Sequence, residues 1–201
     1  MAFGQPTRDR RTERHEATKR EIVEAAWEVA REHGLAGLSL RDVAARVGMQ
    51  PPSLYSYFAS KHAIYDAMFA GAYDEILRRA RAFGPVSDRA SFKRHARAFV
   101  EFCLEDPARY QLLFQRTIPG FEPSPEAYAP AVELLGHGRA ALAAVGIRGA
   151  RAADVYTALV TGLTDQQLSN DPGGARWVRL LDEVLDMFLD RYSTKRRRPR
   201  P

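Results

Sequence analysis

The sequence predicts an all-α protein of about nine helices. Apolar residues recur at helical spacing along nearly the whole chain, no stretch alternates for long enough to read as a strand, and Gly/Pro breaks recur between the helical stretches. The 201 residues allow one or two domains, and a hydrophobic content of 45% is ample for a core.

Residues 1–16 are polar and charged and read as a flexible arm without the apolar stretch of a secretory signal. From Thr18 a helical face forms through Ile22, Ala25, Ala26, Val29 and Ala30, and Gly34 stops it. Ser39-Leu40-Arg41-Asp42 is a capping box: Ser39 accepts from the first turn and Asp42 reaches back. The short helix behind it turns Leu40, Val43, Ala44 and Val47 inward and ends at Gly48. Pro51 and Pro52 suit the first turn of a helix, where no backbone donor is needed, and Ser53 to Phe58 complete that element with Leu54 and Phe58 facing the core. Ser60 caps a long helix from Lys61 to about Phe83. Further helices are expected near 88–105, 107–116, 125–145, 149–169 and 173–193, separated at Gly84-Pro85, Asp106-Pro107, Pro119-Gly120 and Pro172-Gly173-Gly174.

The net charge of +5 is local. Lys195, Arg196, Arg197, Arg198 and Arg200 account for all of it, and without them 25 basic residues face 25 acidic ones. Global charge therefore argues for no partner, and the terminal KRRRPRP reads as a disordered basic tail. The lone Cys103 cannot form an internal disulfide, and no apolar run reaches the roughly 20 residues of a membrane span, so the expected location is cytoplasmic. His15, His33, His62, His95 and His137 show no i, i+4 pair, so no metal site, cofactor or enzyme activity is expected. Gly136-His137-Gly138-Arg139-Ala140-Ala141 fits a loose dinucleotide pattern, but no strand precedes it and it reads as helix.

Two short helices joined by a Gly-containing turn and braced by longer ones form a helix-turn-helix. The second can enter a major groove while the first lies across the DNA backbone. Gln50 can pair with a base edge, Ser53 with a base or phosphate, and the Tyr55 and Tyr57 hydroxyls with phosphate. Two aromatics at i and i+2 cannot share one core face, which leaves Tyr55 for DNA. Lys61 at the next helix start and Arg41 in the preceding first turn are placed for phosphate.

Residues 22–69 resemble the N-terminal domain of the tetracycline-repressor (TetR) family. The shared positions are the Ala-rich first helix ending in Gly34, Ser39-Leu40-Arg41-Asp42-Val43-Ala44, Gly48, Leu54-Tyr55, Phe58 and Ser60-Lys61. The resemblance implies an all-helical homodimer that binds double-stranded operator DNA, with a divergent C-terminal domain that holds a small-molecule effector and dimerises through its last two helices. It adds Pro51 and Ser56 to Gln50, Ser53, Tyr55, Tyr57 and Lys61 as DNA-facing positions. Gln50, Pro52 and Tyr57 depart from residues common in the family, which bears on the operator read.

The expected organisation is an arm at 1–16, a DNA-binding domain at 17–64, a regulatory and dimerisation domain at 65–194 and a basic tail at 195–201. Phe69, Phe102, Tyr110, Phe114, Tyr128 and Tyr156 are candidate walls of an apolar effector pocket, and Gln166 a candidate polar contact. Trp177, Leu180, Leu181, Val184, Leu185, Phe188 and Leu189 make a stripe wide enough to imply a partner helix from a second subunit. The alternative function is a helical protein-interaction module that binds no DNA.

Overall fold

The computed structural model describes residues 10–193, so residues 1–9 of the expected arm and the basic tail at 195–201 lie outside the described residues. Among the described residues there are nine α-helices and no strand. They are α1 (Arg10–His33), α2 (Leu40–Arg46), α3 (Pro51–Leu54), α4 (Lys61–Ala82), α5 (Arg89–Glu105), α6 (Pro107–Phe114), α7 (Pro125–Ala144), α8 (Ala150–Asn170) and α9 (Leu181–Tyr192). No helix of the described residues is long and apolar enough to cross a membrane.

Three boundaries differ from the sequence expectation. Helix α1 begins at Arg10, upstream of the apolar face that starts after Thr18, so residues 10–16 are helical rather than arm. Its first turns carry no buried residue, and periodicity has nothing there to report. Helix α3 ends at Leu54 instead of Phe58. Beyond it, Tyr55, Ser56 and Tyr57 donate their backbone N–H to the carbonyls of Pro52, Ser53 and Leu54, a tight turn in place of a further helical one. The stretch expected as one helix over 173–193 is a loop and a 3-10 turn at Val178–Leu180, then α9.

The core falls into two parts. One gathers Ile22, Ala26, Val43, Ala44, Leu54, Ile64 and Met68, which close α1–α3 onto the first half of α4, and continues through Phe102 and Tyr110 into α5 and α6. The other joins α5, α8 and α9 through Phe92, Val100, Val160, Leu181, Leu185, Phe188 and Leu189. The α9 stripe is thus largely used within the chain: Leu181, Leu185, Phe188 and Leu189 are buried without a second subunit, while Leu180 and Met187 remain exposed.

Two polar ties join the halves. The buried Tyr65 hydroxyl donates to the Leu35 carbonyl at 2.5 Å, fixing the α1–α2 loop on α4. Arg31 Nε of α1 donates to the Asp106 carboxylate at 2.9 Å, and Asp106 also caps α6 by accepting from the Arg109 amide.

Candidate functional site

Each cap of the helix-turn-helix is built as its residue types dictate. Ser39 Oγ accepts from the Asp42 amide at 3.1 Å and donates to the Asp42 carboxylate at 2.6 Å, so the acid reaches back to the hydroxyl. At the other end of α2, Gly48 adopts φ 67, and Met49 N–H closes onto the Ala44 carbonyl at 2.9 Å. Only glycine enters that left-handed region without a side-chain penalty, and the turn it makes aims α3 away from α2. Ser60 accepts from the Ala63 amide and starts α4.

Leu54 is buried and anchors α3, and Phe58 packs against the same core. The residues between and before them point outward. Gln50, Ser53, Tyr55 and Ser56 are exposed, Pro51, Tyr57 and Lys61 are half-buried, and Tyr55 is 58% accessible, an unusual position for a large aromatic with no contact to make within the chain. Ser56 Oγ donates to the Ser53 carbonyl at 2.7 Å, which leaves its oxygen lone pairs facing out. Lys61 Nζ lies 5.5 Å from the Tyr65 ring centroid, and Arg41 is exposed on the first turn of α2. Arg46 is not part of this surface. Glu28 and Glu32 of α1 bind its guanidinium, and these hydrogen bonds hold it charged and strap α2 to α1.

One contact went unseen in the sequence. The His15 ring stacks on Tyr57, with centroids 4.7 Å apart. Its signal was weak because the turn that carries it bears no apolar face.

The second half encloses a cavity of about 800 Å3, within the usual range of small-molecule sites. Helices α4, α5, α7 and α8 form its walls. Helix α7 is pinned to α4 by the Ser124 amide on Asp66 at 3.0 Å and by Arg81 on Glu133. Of the sequence-derived candidates, Phe102, Phe114, Tyr128 and Tyr156 line the cavity. Phe69 and Tyr110 do not. Phe69 is buried behind Tyr128, their rings 6.1 Å apart, and Tyr110 is buried with its hydroxyl on the Thr161 carbonyl. Gln166 is exposed and accepts from Asn170. Phe92, His95 and Phe99 of α5 also line the cavity, and in sequence Phe92 and His95 share one helical stripe with ordinary core residues that does not mark them. Burial pushes the Tyr156 hydroxyl well above the ordinary range, so it stays neutral. The dinucleotide-like run from Gly136 to Ala141 lies inside α7, with no strand before it.

Caps, anchored recognition segment and hollow helical second half together define a helix-turn-helix protein with a separate ligand-sized cavity. Residues 22–68 match the family described as bacterial regulatory proteins, tetR family. Those residues are the helix-turn-helix segment, so the family match covers about a quarter of the chain. It is similar to the HTH-type transcriptional regulator Rv1816 of Mycobacterium tuberculosis, at 31% identity over 125 residues, 60% of this chain and 53% of that protein, so the match spans about half the relative's length. It is also similar to the tetracycline repressor protein class A from transposon 1721 of Escherichia coli, 40% identical over 47 residues, 23% of this chain and 22% of that one. Among solved structures, the regulatory protein SCO4313 superposes with a TM-score of 0.71 and 26% identity over 89% of this chain and 98% of that one.

Proposed function

We propose that the protein is a sequence-specific, DNA-binding transcription regulator of the cytoplasm. It acts as a repressor that holds a near-palindromic operator as a homodimer and is released by a small molecule in the cavity. The single observation that carries this reading is the outward row Gln50, Ser53, Tyr55 and Ser56 on a segment whose Leu54 is locked in the core. A rigidly backed row of hydrogen-bonding side chains is what reading a base edge requires. Arg41 and Lys61 flank it and supply the phosphate contacts that set register.

One recognition segment reads only a few base pairs, so two must act together, roughly 34–36 Å apart on successive major grooves. Dimerisation through α8 and α9 is supported by the apolar Leu180 and Met187 left exposed on that side. Helix α4 links the two activities: it starts at the Ser60 cap beside the DNA-facing row, and its Tyr73, Ile76 and Arg79 line the cavity. A ligand that favours one α4 placement changes the separation of the recognition segments, and a coupling of about 1–3 kcal/mol is enough to shift operator occupancy.

The test is a gel-shift titration of the purified protein against the intergenic DNA flanking its own gene, at several salt concentrations, beside Tyr55→Ala. Selective, salt-sensitive binding that the variant loses is expected. A folded dimer that selects no sequence from a random DNA pool at any salt would overturn the reading in favour of a protein-binding role.

A further inference from the structure

The apolar walls and the charge pattern of the cavity define a class of ligand. We propose that the cavity takes a hydrophobic monoanion, an apolar body with one carboxylate- or sulfonate-type head that pairs with Arg139; this rests on the reading of the cavity as the effector site.

The body follows from the inner wall. Phe92, Phe99, Phe102, Phe114 and Val160 present carbon, and two of the hydroxyls among them are turned onto backbone. Tyr73 donates to the Leu113 carbonyl at 3.4 Å, and Thr161 Oγ1 donates to the Thr157 carbonyl at 2.8 Å. A guest that fills this space meets mostly carbon, and most polar groups placed in it would lose their water without replacement.

The head follows from which charges are spoken for. Three guanidiniums line the cavity: Arg79, Arg81 and Arg139. Arg79 is held by Glu75 and by Glu105, each at 2.7 Å, and Arg81 is bound to Glu133. Arg139, exposed on α7, has no acid partner among the described residues. His95 does not compete for the head of a ligand: its Nδ1 lies 2.8 Å from the Ser91 carbonyl oxygen and its Nε2 2.9 Å from that of Gly84, so both ring nitrogens face backbone. Asp154 is the single carboxylate in the lining. A cationic guest would meet Arg139 unshielded, and a neutral one would leave Arg139 to water. A monoanion pairs with Arg139 by charge-assisted hydrogen bonds while its body displaces water from the rings.

The experiment uses the full chain and two fluorescent probes with the same apolar body, N-phenyl-1-naphthylamine and its sulfonate analogue 8-anilino-1-naphthalenesulfonate. The sulfonate is expected to bind roughly tenfold tighter, the worth of one charge-assisted bond. Arg139→Gln, an exposed position, should erase that preference and leave the neutral probe's affinity unchanged. Ala98→Trp, which fills the cavity from α5, should weaken both probes. Equal binding of the two probes, or a preference that survives Arg139→Gln, overturns the anion assignment and leaves the effector cavity standing. If neither probe binds, or Ala98→Trp weakens neither, the cavity is no ligand site and both readings fall.

Discussion

The imidazole of His15 lies nearly flat on the phenol ring of Tyr57, with 4.7 Å between centroids and 21° between planes. Tyr57 stands in the short turn beyond α3, half-buried against the first core, and the His15 ring adds a further contact to its face. His15 thus helps set where the Tyr57 hydroxyl points. Stacked aromatic pairs are worth about 0.5–1.5 kcal/mol beyond their burial. His15→Ala is expected to raise the operator Kd roughly two- to tenfold with little change in melting temperature. His15→Phe, which restores a ring, should recover most of the loss. Anisotropy titrations with labelled operator DNA check both, and wild-type affinity in His15→Ala would deny His15 this role.

That contact shows where sequence reading stops. Ile22 through Ala30 announce α1 because their burial repeats every turn, whereas residues 10–16 bury nothing and are helical all the same. Ser39, Ser60 and Gly48 were legible because caps depend on one residue type at one position. Cavity and core were not separable. Phe69 and Phe102 are both phenylalanines on helical stripes, and only packing decides that Phe102 faces the void and Phe69 lies behind it.

The break between α8 and α9 runs on well past Pro172-Gly173-Gly174, and Gln167, which no local pattern marks, holds it. Its buried side chain accepts from the Trp177 amide at 3.0 Å and the Val178 amide at 3.3 Å, and its Nε2 donates to Asp171. One amide thus satisfies both sides of a loop that has no regular structure. Gln167→Ala should destabilise the fold by about 2–3 kcal/mol, because two backbone donors would lose a buried partner. Urea unfolding measures this, and a loss under about 0.5 kcal/mol would mean that water replaces the side chain at no cost.

Alkaline pH should weaken the fold through Cys103 and Tyr65. Burial pushes the Cys103 thiol up from its ordinary 9.0 to about 12, and the Tyr65 hydroxyl up from 10.0 to about 12. Both groups keep their protons in the folded state at pH values where the unfolded chain has lost them. Stability is therefore intact below pH 9 and declines as pH rises toward 12. Cys103→Ala should flatten the first part of that decline, above pH 9, where the thiol alone contributes. Melting temperatures recorded from pH 8 to 11 provide the check. A slope that is the same with and without the thiol would place the alkaline sensitivity elsewhere.

The tie between α1 and the cavity runs through Asp106. Its carboxylate accepts from Arg31 Nε on α1 at 2.9 Å and from the Arg109 amide at 3.1 Å. Arg109 Nη2 in turn donates to the Phe102 carbonyl at 2.7 Å, and its guanidinium lies 3.7 Å from the Phe102 ring centroid. Phe102 lines the cavity. The Asp106 side chain is 8% exposed and Arg31 44%, so the pair is neither fully screened nor fully desolvated. Asp106→Ala removes cap and tie together and should cost about 2–3 kcal/mol, since a lost N-cap alone typically costs about 1. Arg31→Gln removes the tie and spares the cap, and its cost should stay near 1 kcal/mol. A double-mutant cycle with Arg31→Gln and Asp106→Asn should give a coupling of about 0.5–1.5 kcal/mol in urea unfolding. Zero coupling would mean that apolar packing alone joins α1 to α6. On the proposed regulatory reading, the same Arg31→Gln should leave ligand-free operator affinity unchanged and reduce the drop in affinity that a saturating cavity ligand causes, because the path from Phe102 to α1 then has lost its one charged link.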